Sequence, residues 1–215
     1  MNKSVYSLVL TDEVVREIDR LAYEGNTSRS NMVNQILAEY VSYATPEKRM
    51  QEVFSRVERM LLSGTAFEPL LQPSDSMFSL RSSLSYKYNP SVRYSVELYK
   101  DDLPYIGELR VSVRSQNSTL LLTMLQFFKL WAKVERGYIG QTEYVVEDGR
   151  YLRRLRLGGA RDVTNEQVGE AIAGYIRLLD GAMKVYFDNL TSPADAVAGV
   201  ERLYAEYVRG GALIL

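Results

Sequence analysis

Residues 3–43 read KSVYSLVLTDEVVREIDRLAYEGNTSRSNMVNQILAEYVSY, and this stretch decides the organisation of the chain. Its first eight residues alternate in a way typical of a strand, whose successive side chains point to opposite faces. One face would carry Ser4, Tyr6, Leu8 and Leu10, and the other would carry Lys3, Val5, Ser7 and Val9. A short strand is therefore predicted over residues 3–10.

Two helices are predicted to follow this strand. Thr11 is suited to cap the first helix, and the acidic pair Asp12 and Glu13 would favour the positive end of its dipole. Gly25-Asn26 is a typical helix stop. A second helix is predicted from Ser28, whose hydroxyl can cap it. Its apolar stripe would consist of Met32, Val33, Ile36, Leu37, Tyr40 and Val41.

A single strand followed by two amphipathic helices cannot bury its own apolar surface. The strand has no partner within these residues, and an unpaired strand edge is costly to leave exposed. Pairing with the same strand of a second chain would solve both problems. A homodimer is therefore predicted.

This arrangement resembles the ribbon-helix-helix family of bacterial and phage repressors, plasmid regulators and antitoxins, and the resemblance covers residues 3–43. In that family two strands form an antiparallel ribbon that enters the major groove of double-stranded DNA, and the start of the second helix lies against a phosphate. The resemblance implies that the DNA-binding residues are Lys3, Val5, Ser7 and Val9 on the ribbon and Ser28, Arg29 and Ser30 at the helix start.

An alternative for this module is dimerisation without DNA binding. The ribbon face carries Val5 and Val9, where the family usually has Arg, Lys, Asn or Gln to read base edges. Residues 1–44 hold four basic and six acidic side chains, a net charge of −2, so strong electrostatic attraction to phosphate is not expected from the module alone.

Composition excludes several kinds of enzyme. The 215 residues include no cysteine and no histidine, which removes disulfides, thiolate or imidazole metal sites, and serine–histidine or cysteine–histidine hydrolases. No catalytic set, metal site or cofactor motif is predicted, and the protein is not expected to be an enzyme. The amino terminus lacks a signal-peptide pattern and no stretch is apolar enough to span a membrane, so we expect a cytoplasmic protein.

The chain is predicted to divide into the ribbon-helix-helix module at residues 1–44, a connecting segment at 45–76 and a larger domain at 77–215. In the connecting segment, an amphipathic helix is predicted from Pro46 to near Gly64. This helix could pack against its copy in a second chain and extend the dimer. Docking onto its own carboxy-terminal domain is the other interpretation.

The larger domain is predicted to be α+β, with an antiparallel sheet meander packed by helices. Three strands with period-two apolar patterns follow residue 77, the first running as far as Tyr88. Their polar face would be basic, with Glu97 as an exception and with Arg81, Lys87, Arg93, Arg110 and Arg114 as its cations. Such a face is commonly solvated, but an acidic ligand, a partner protein or flanking DNA phosphates are alternatives.

Four further elements are predicted after the meander. They are a largely buried helix over residues 118–136, a hairpin around Asp148-Gly149, a helix capped by Thr164 with Gln167, and a final helix from Pro193. The hairpin is expected to present a second basic cluster formed by Arg150, Arg153, Arg154 and Arg156.

Together these patterns predict a sequence-specific transcriptional regulator, a repressor by its resemblance, that acts as a homodimer or higher oligomer such as a tetramer. Its carboxy-terminal domain would then sense a ligand, bind a partner protein or build the oligomer. The alternative is an antitoxin-like or DNA-processing accessory protein, in which the first module mainly dimerises and the second domain binds another protein.

Overall fold

A computed structural model describes residues 5–41, 45–71, 74–100, 104–140, 142–147, 149–157, 163–211 and 213. The chain divides into two compact units, residues 1–49 and 50–215. The helices are α1 (Asp12–Glu24), α2 (Arg29–Tyr40), α3 (Pro46–Leu61), α4 (Ser118–Ile139), α5 (Asn165–Asp188) and α6 (Pro193–Arg209). The strands are β1 (Glu68–Pro69), β2 (Met77–Ser83), β3 (Ser91–Leu98), β4 (Gly107–Val113), β5 (Tyr144–Glu147) and β6 (Arg150–Leu155). The predicted α+β class is confirmed.

Helices α1 and α2 of the first unit begin at the predicted N-cap residues, and α1 ends at the predicted Gly25. Thr11 occupies the N-cap position of α1, but its side chain makes no capping hydrogen bond. The Ser28 hydroxyl accepts a hydrogen bond from the Asn31 amide at 3.3 Å, which satisfies one of the free N–H groups in the first turn of α2.

The predicted amino-terminal strand is not formed in this single chain. Residues 5–11 adopt neither helix nor strand, and the sheet begins only with β1. Lys3 and Ser4, the first residues of the predicted strand, lie outside the described residues. A strand is defined by the ladder it shares with a neighbour, and no described segment of this chain pairs with residues 5–11.

The second unit is built on a six-stranded antiparallel sheet with the order β1-β2-β3-β4-β6-β5. The meander β2-β3-β4 and the hairpin β5-β6 are both confirmed. Strand β2 ends earlier than predicted, at Ser83, because the chain turns there. Tyr88 and Asn89 adopt positive φ angles of 66° and 43° in the connection to β3.

Helices cover one face of this sheet and form the core with it. Ring pairs join α4 to β6 through Phe128 and Tyr151, whose centroids lie 5.3 Å apart, and α3 to β2 through Phe54 and Phe78 at 5.8 Å. From Met50 onward the apolar stripe of α3 is buried in this core. The connecting helix therefore docks onto its own carboxy-terminal domain. Helix α4 begins at Ser118 as predicted and ends three residues later than predicted, at Ile139. Helix α5 begins at the predicted capping box of Thr164 and Gln167, which is present.

Candidate functional sites

The ribbon segment is exposed on both of its predicted faces. On the face that the resemblance assigns to DNA, Val5 is 99% exposed and Ser7 and Val9 are also exposed. On the opposite face, Tyr6 is 83% exposed and Leu8 is 59% exposed. The fourth ribbon position, Lys3, lies outside the described residues. In this chain the segment therefore leaves apolar side chains uncovered.

The start of α2 presents the three predicted phosphate-binding residues on one turn. Ser28, Arg29 and Ser30 are all exposed, and the Ser28 hydroxyl is occupied by its cap hydrogen bond. The first N–H groups of a helix have no carbonyl partner within the helix, and the dipole makes this end positive. The local geometry therefore suits an anion.

The Arg29 side chain is held by an acidic residue of α1. Its Nε and one terminal nitrogen each lie 2.5 Å from a carboxylate oxygen of Asp19, a bidentate pair. The hydrogen bond from Arg29 holds the pKa of the Asp19 carboxyl below its usual value. Because the two residues are ten positions apart, helical periodicity gives no signal for this pair, and sequence reasoning missed it.

On the sheet of the second unit, the side chains that point away from the helices form rows across the strands. The strand registers align Arg93 of β3, Ser112 of β4, Arg150 of β6 and Glu147 of β5 in one row. The next row contains Ser95, Arg110, Leu152 and Val145. Strand β6 lies next to β4, so the hairpin contributes to the same face as the meander.

Carboxylates neutralise part of the predicted basic face. Arg81 pairs with Glu68 at 2.6 Å, and Arg110 pairs with Glu97 at 2.9 Å and also with Glu108. Lys87 is not on the sheet, because β2 has already ended at Ser83. The face is thus less basic than its arginine content alone predicts.

Three arginines on this face have no carboxylate partner among the described residues. Arg93 donates hydrogen bonds to the hydroxyls of Ser95 at 3.2 Å and Ser79 at 3.3 Å. Arg114, just beyond β4, and Arg150, at the start of β6, are exposed and make no hydrogen bond or ion pair within the described parts of the chain. These three side chains bring positive charge to the part of the face where β3, β4 and β6 are neighbours.

All three unpaired arginines line one groove of about 1060 Å³. Its wall also contains hydroxyl groups, and its apolar part includes Leu121, Val145 and Leu152. Ligand pockets in proteins commonly have volumes of roughly 300–1,000 Å³. This groove is therefore large enough for an organic molecule.

The second basic cluster predicted on the hairpin is wrong in one member. Arg153 points to the helix-covered face and is fully buried, because it lies on the same side of β6 as Tyr151 and Leu155. Its Nε lies 2.8 Å from Oε1 of Glu135 in α4. This arginine contributes to the core and not to a surface cluster.

The described residues include no group of three or more acidic side chains placed to hold a metal ion. No described helix combines the length and the apolar character needed to cross a membrane. Comparison with models of known families, with curated proteins and with solved structures finds no match to this chain.

Proposed function

We propose that this protein is a homodimeric ribbon-helix-helix transcriptional regulator, a repressor by its resemblance, whose carboxy-terminal domain binds a ligand. The observation that carries the proposal is the exposed apolar segment at residues 5–10 directly before two helices with the caps and lengths of that module. Apolar side chains this exposed favour a second chain as their cover.

The exposed apolar residues continue from the segment onto both helices. Leu10 and Val14 near the start of α1 are 42% and 45% exposed, and Ile36 and Leu37 on α2 are 40% and 51% exposed. Fully burying one such side chain contributes roughly 1.5–3 kcal/mol. A second copy that pairs strand to strand would cover this surface and provide the missing ladder.

In the resulting dimer, two ribbon strands would present Val5, Ser7 and Val9 to the major groove. Valine side chains can contact thymine methyl groups, and a serine hydroxyl can bond to several base edges. The turn at Ser28, Arg29 and Ser30 would hold the flanking phosphates. Phosphate contacts would fix the register, and the short ribbon would supply modest sequence discrimination.

A second candidate function is an antitoxin-like or DNA-processing accessory protein in which this module only dimerises. The bidentate pair between Arg29 and Asp19 favours it, since the charge that would meet a phosphate is neutralised within the module. In that case the carboxy-terminal domain would bind another protein.

Fluorescence anisotropy with DNA from immediately upstream of the protein's own gene tests the proposal, at two salt concentrations and with competitor DNA. The informative variant is Ser30→Asp, which places a negative charge where the phosphate would lie. An aspartate in the first turn of a helix stabilises that helix, so lost binding would not reflect unfolding. Ser85→Asp, at an exposed position of the second unit, is the matched control.

We expect salt-sensitive binding that Ser30→Asp weakens by about tenfold or more and Ser85→Asp leaves unchanged. A dimeric protein that binds neither this DNA nor fragments selected from the whole genome would support the dimerisation-only alternative.

A further inference from the structure

The groove on the open face of the sheet combines unpaired arginines with an apolar wall. We propose that it binds a small amphipathic anion, a phosphate or carboxylate carried on an apolar body. The inference deepens the ligand-binding part of the proposed function and rests on it for its biological role. All residues that line the groove belong to the second unit.

Two arginines of the groove are aligned across neighbouring strands of the sheet. Arg93 and Arg150 lie in one row on either side of Ser112, two strand spacings apart. Neighbouring strands are about 4.8 Å apart, so the two α-carbons are roughly 10 Å apart. The Arg93 guanidinium donates to Ser95 and Ser79 on the β2 side, so it would leave these serines to meet an anion that Arg150 binds above the Ser112 hydroxyl. The planar guanidinium group of an arginine can donate two parallel hydrogen bonds to two oxygens of a phosphate or a carboxylate.

The arginines of this face differ in whether a carboxylate lies close to them. Arg81, Arg110 and Arg154 each have a carboxylate within 4.0 Å, whereas Arg114 and Arg150 have none within the described residues. Glu147 is aligned with Arg150 and also lines the groove, yet the two form no ion pair. Arg110 also lines the groove but is neutralised by Glu97 and Glu108, so the arginines of the groove that remain able to bind an anion are Arg93, Arg114 and Arg150.

One wall of the groove is apolar. Leu152 and Val145 follow Arg110 in the adjacent row, and Leu121 of α4 lines the same groove. Val145 is 50% exposed. If the phosphate or carboxylate lies over the row that contains Arg93, Ser112 and Arg150, an apolar group attached to it would contact this wall. A nucleic-acid backbone would leave this wall uncovered, which favours an amphipathic small molecule over phosphodiester contacts.

Isothermal titration calorimetry on the full-length protein tests this with four compounds: octyl phosphate, octanoate, inorganic phosphate and neutral octyl glucoside, each below its micellar concentration. We expect saturable binding, one molecule per chain, for octyl phosphate or octanoate, and at least about tenfold weaker binding for the other two compounds. Comparison of the two amphipathic anions distinguishes a phosphorylated ligand from a carboxylated one.

The double variant Arg114→Gln/Arg150→Gln should weaken binding of the preferred anion by about tenfold or more, because charged hydrogen bonds are lost. Arg81→Gln/Arg154→Gln is the matched control, since it removes the same charge from the same face but from arginines that are already paired. Equal losses in both double variants, equally tight binding of inorganic phosphate, or no saturable binding of either amphipathic anion would overturn the proposal. None of these measurements involves DNA, so failure here is distinguishable from failure to bind an operator.

Discussion

Arg153 and Glu135 form an ion pair from which solvent is fully excluded, with 2.8 Å between Nε and Oε1 and both side chains 0% exposed. The carboxylate also accepts a hydrogen bond from the Tyr151 hydroxyl at 3.1 Å. The guanidinium carbon lies 4.7 Å from the centroid of the Tyr175 ring, a cation–π contact. Each charge therefore depends on the other, because burying one alone is far more costly than burying the pair.

Replacing Glu135 alone should be strongly destabilising. Glu135→Gln leaves the Arg153 charge buried without a counter-ion, and we expect the free energy of unfolding to fall by about 3–5 kcal/mol. Urea unfolding followed by the fluorescence of Trp131, the single tryptophan of the chain, measures this. The double variant Glu135→Leu/Arg153→Met should recover most of the loss. If the double variant is no more stable than Glu135→Gln, the ion pair is not the reason for the destabilisation.

The buried tyrosines make the folded protein sensitive to alkali. Burial is the main reason that the pKa values of Tyr94, Tyr151 and Tyr175 lie well above the ordinary 10.0, with a nearby carboxylate adding to it in each case. Burial and a hydrogen bond to Glu108 also raise the pKa of Tyr99 to about 12. The unfolded chain releases these protons first, so the stability they contribute is complete below about pH 10 and falls as the pH rises further.

We therefore expect the urea midpoint to fall steeply above about pH 10, with a step in tyrosinate absorbance that coincides with unfolding. In Tyr94→Phe, which lacks the hydroxyl that donates to Asp180 at 2.9 Å, the decline should be shallower, because one proton fewer is coupled to unfolding. Complete titration of all tyrosines before any loss of structure would contradict this prediction.

Gly169 permits close packing between α3 and α5. A β-carbon at this position would lie 2.7 Å from Cβ of Arg56 and 2.8 Å from the carbonyl oxygen of Val53. Glycine to alanine within a helix usually adds up to about 1 kcal/mol of stability. Here the clash should reverse the sign, and Gly169→Ala should lower the stability by roughly 1–3 kcal/mol.

Thermal unfolding measures this change, with Gly181→Ala in the same helix as the control. A β-carbon at Gly181 would have no neighbour within 4 Å, so that substitution should be neutral or stabilising. A Gly169→Ala protein as stable as the control would show that the two helices can separate at little cost.

Much of the fold follows from local patterns in the sequence. The caps at Ser28 and Thr164 and the apolar periodicity of α4 locate helices because the relevant interactions lie within a few residues. The inward position of Arg153 also follows from the two-residue period of β6, since it lies two positions from both Tyr151 and Leu155 on the same face. Its charge is instead typical of an exposed residue, and the surface position predicted from that charge was wrong.

The groove could not be predicted from the sequence in this way. It depends on β6 lying beside β4, which aligns Arg150 with Ser112 and Arg93 from a different hairpin. Strand order and register are set by the packing of the whole sheet and leave no short-range signal. The pairing of Arg81 with Glu68 was missed for the same reason, because it requires the two-residue strand β1 beside β2.

The two faces of the amino-terminal segment provide a test of the proposed dimer. In the proposed ribbon Leu8 lies in the shared core and Val9 faces outward, although both are exposed in the single chain. We expect Leu8→Asp to abolish dimerisation and Val9→Asp to preserve it, because only the first would bury a charge between the chains. Size-exclusion chromatography with light scattering measures the molecular mass of each variant and distinguishes a dimer from a monomer. If Leu8→Asp remains a dimer, the ribbon assignment is wrong.

The bidentate pair between Asp19 and Arg29 should limit the affinity of the module for DNA. If the start of α2 meets a phosphate, Asp19 competes with that phosphate for the Arg29 guanidinium. Asp19→Asn should therefore tighten DNA binding several-fold at low salt. The logarithm of the affinity should also fall more steeply with the logarithm of the salt concentration, because up to about one more counterion per module would be released on binding. Glu13→Gln changes the net charge equally but frees Arg16 instead, so it is the matched control. Equal tightening in both variants would indicate a general charge effect, whereas tightening in Asp19→Asn alone would place Arg29 against the DNA backbone.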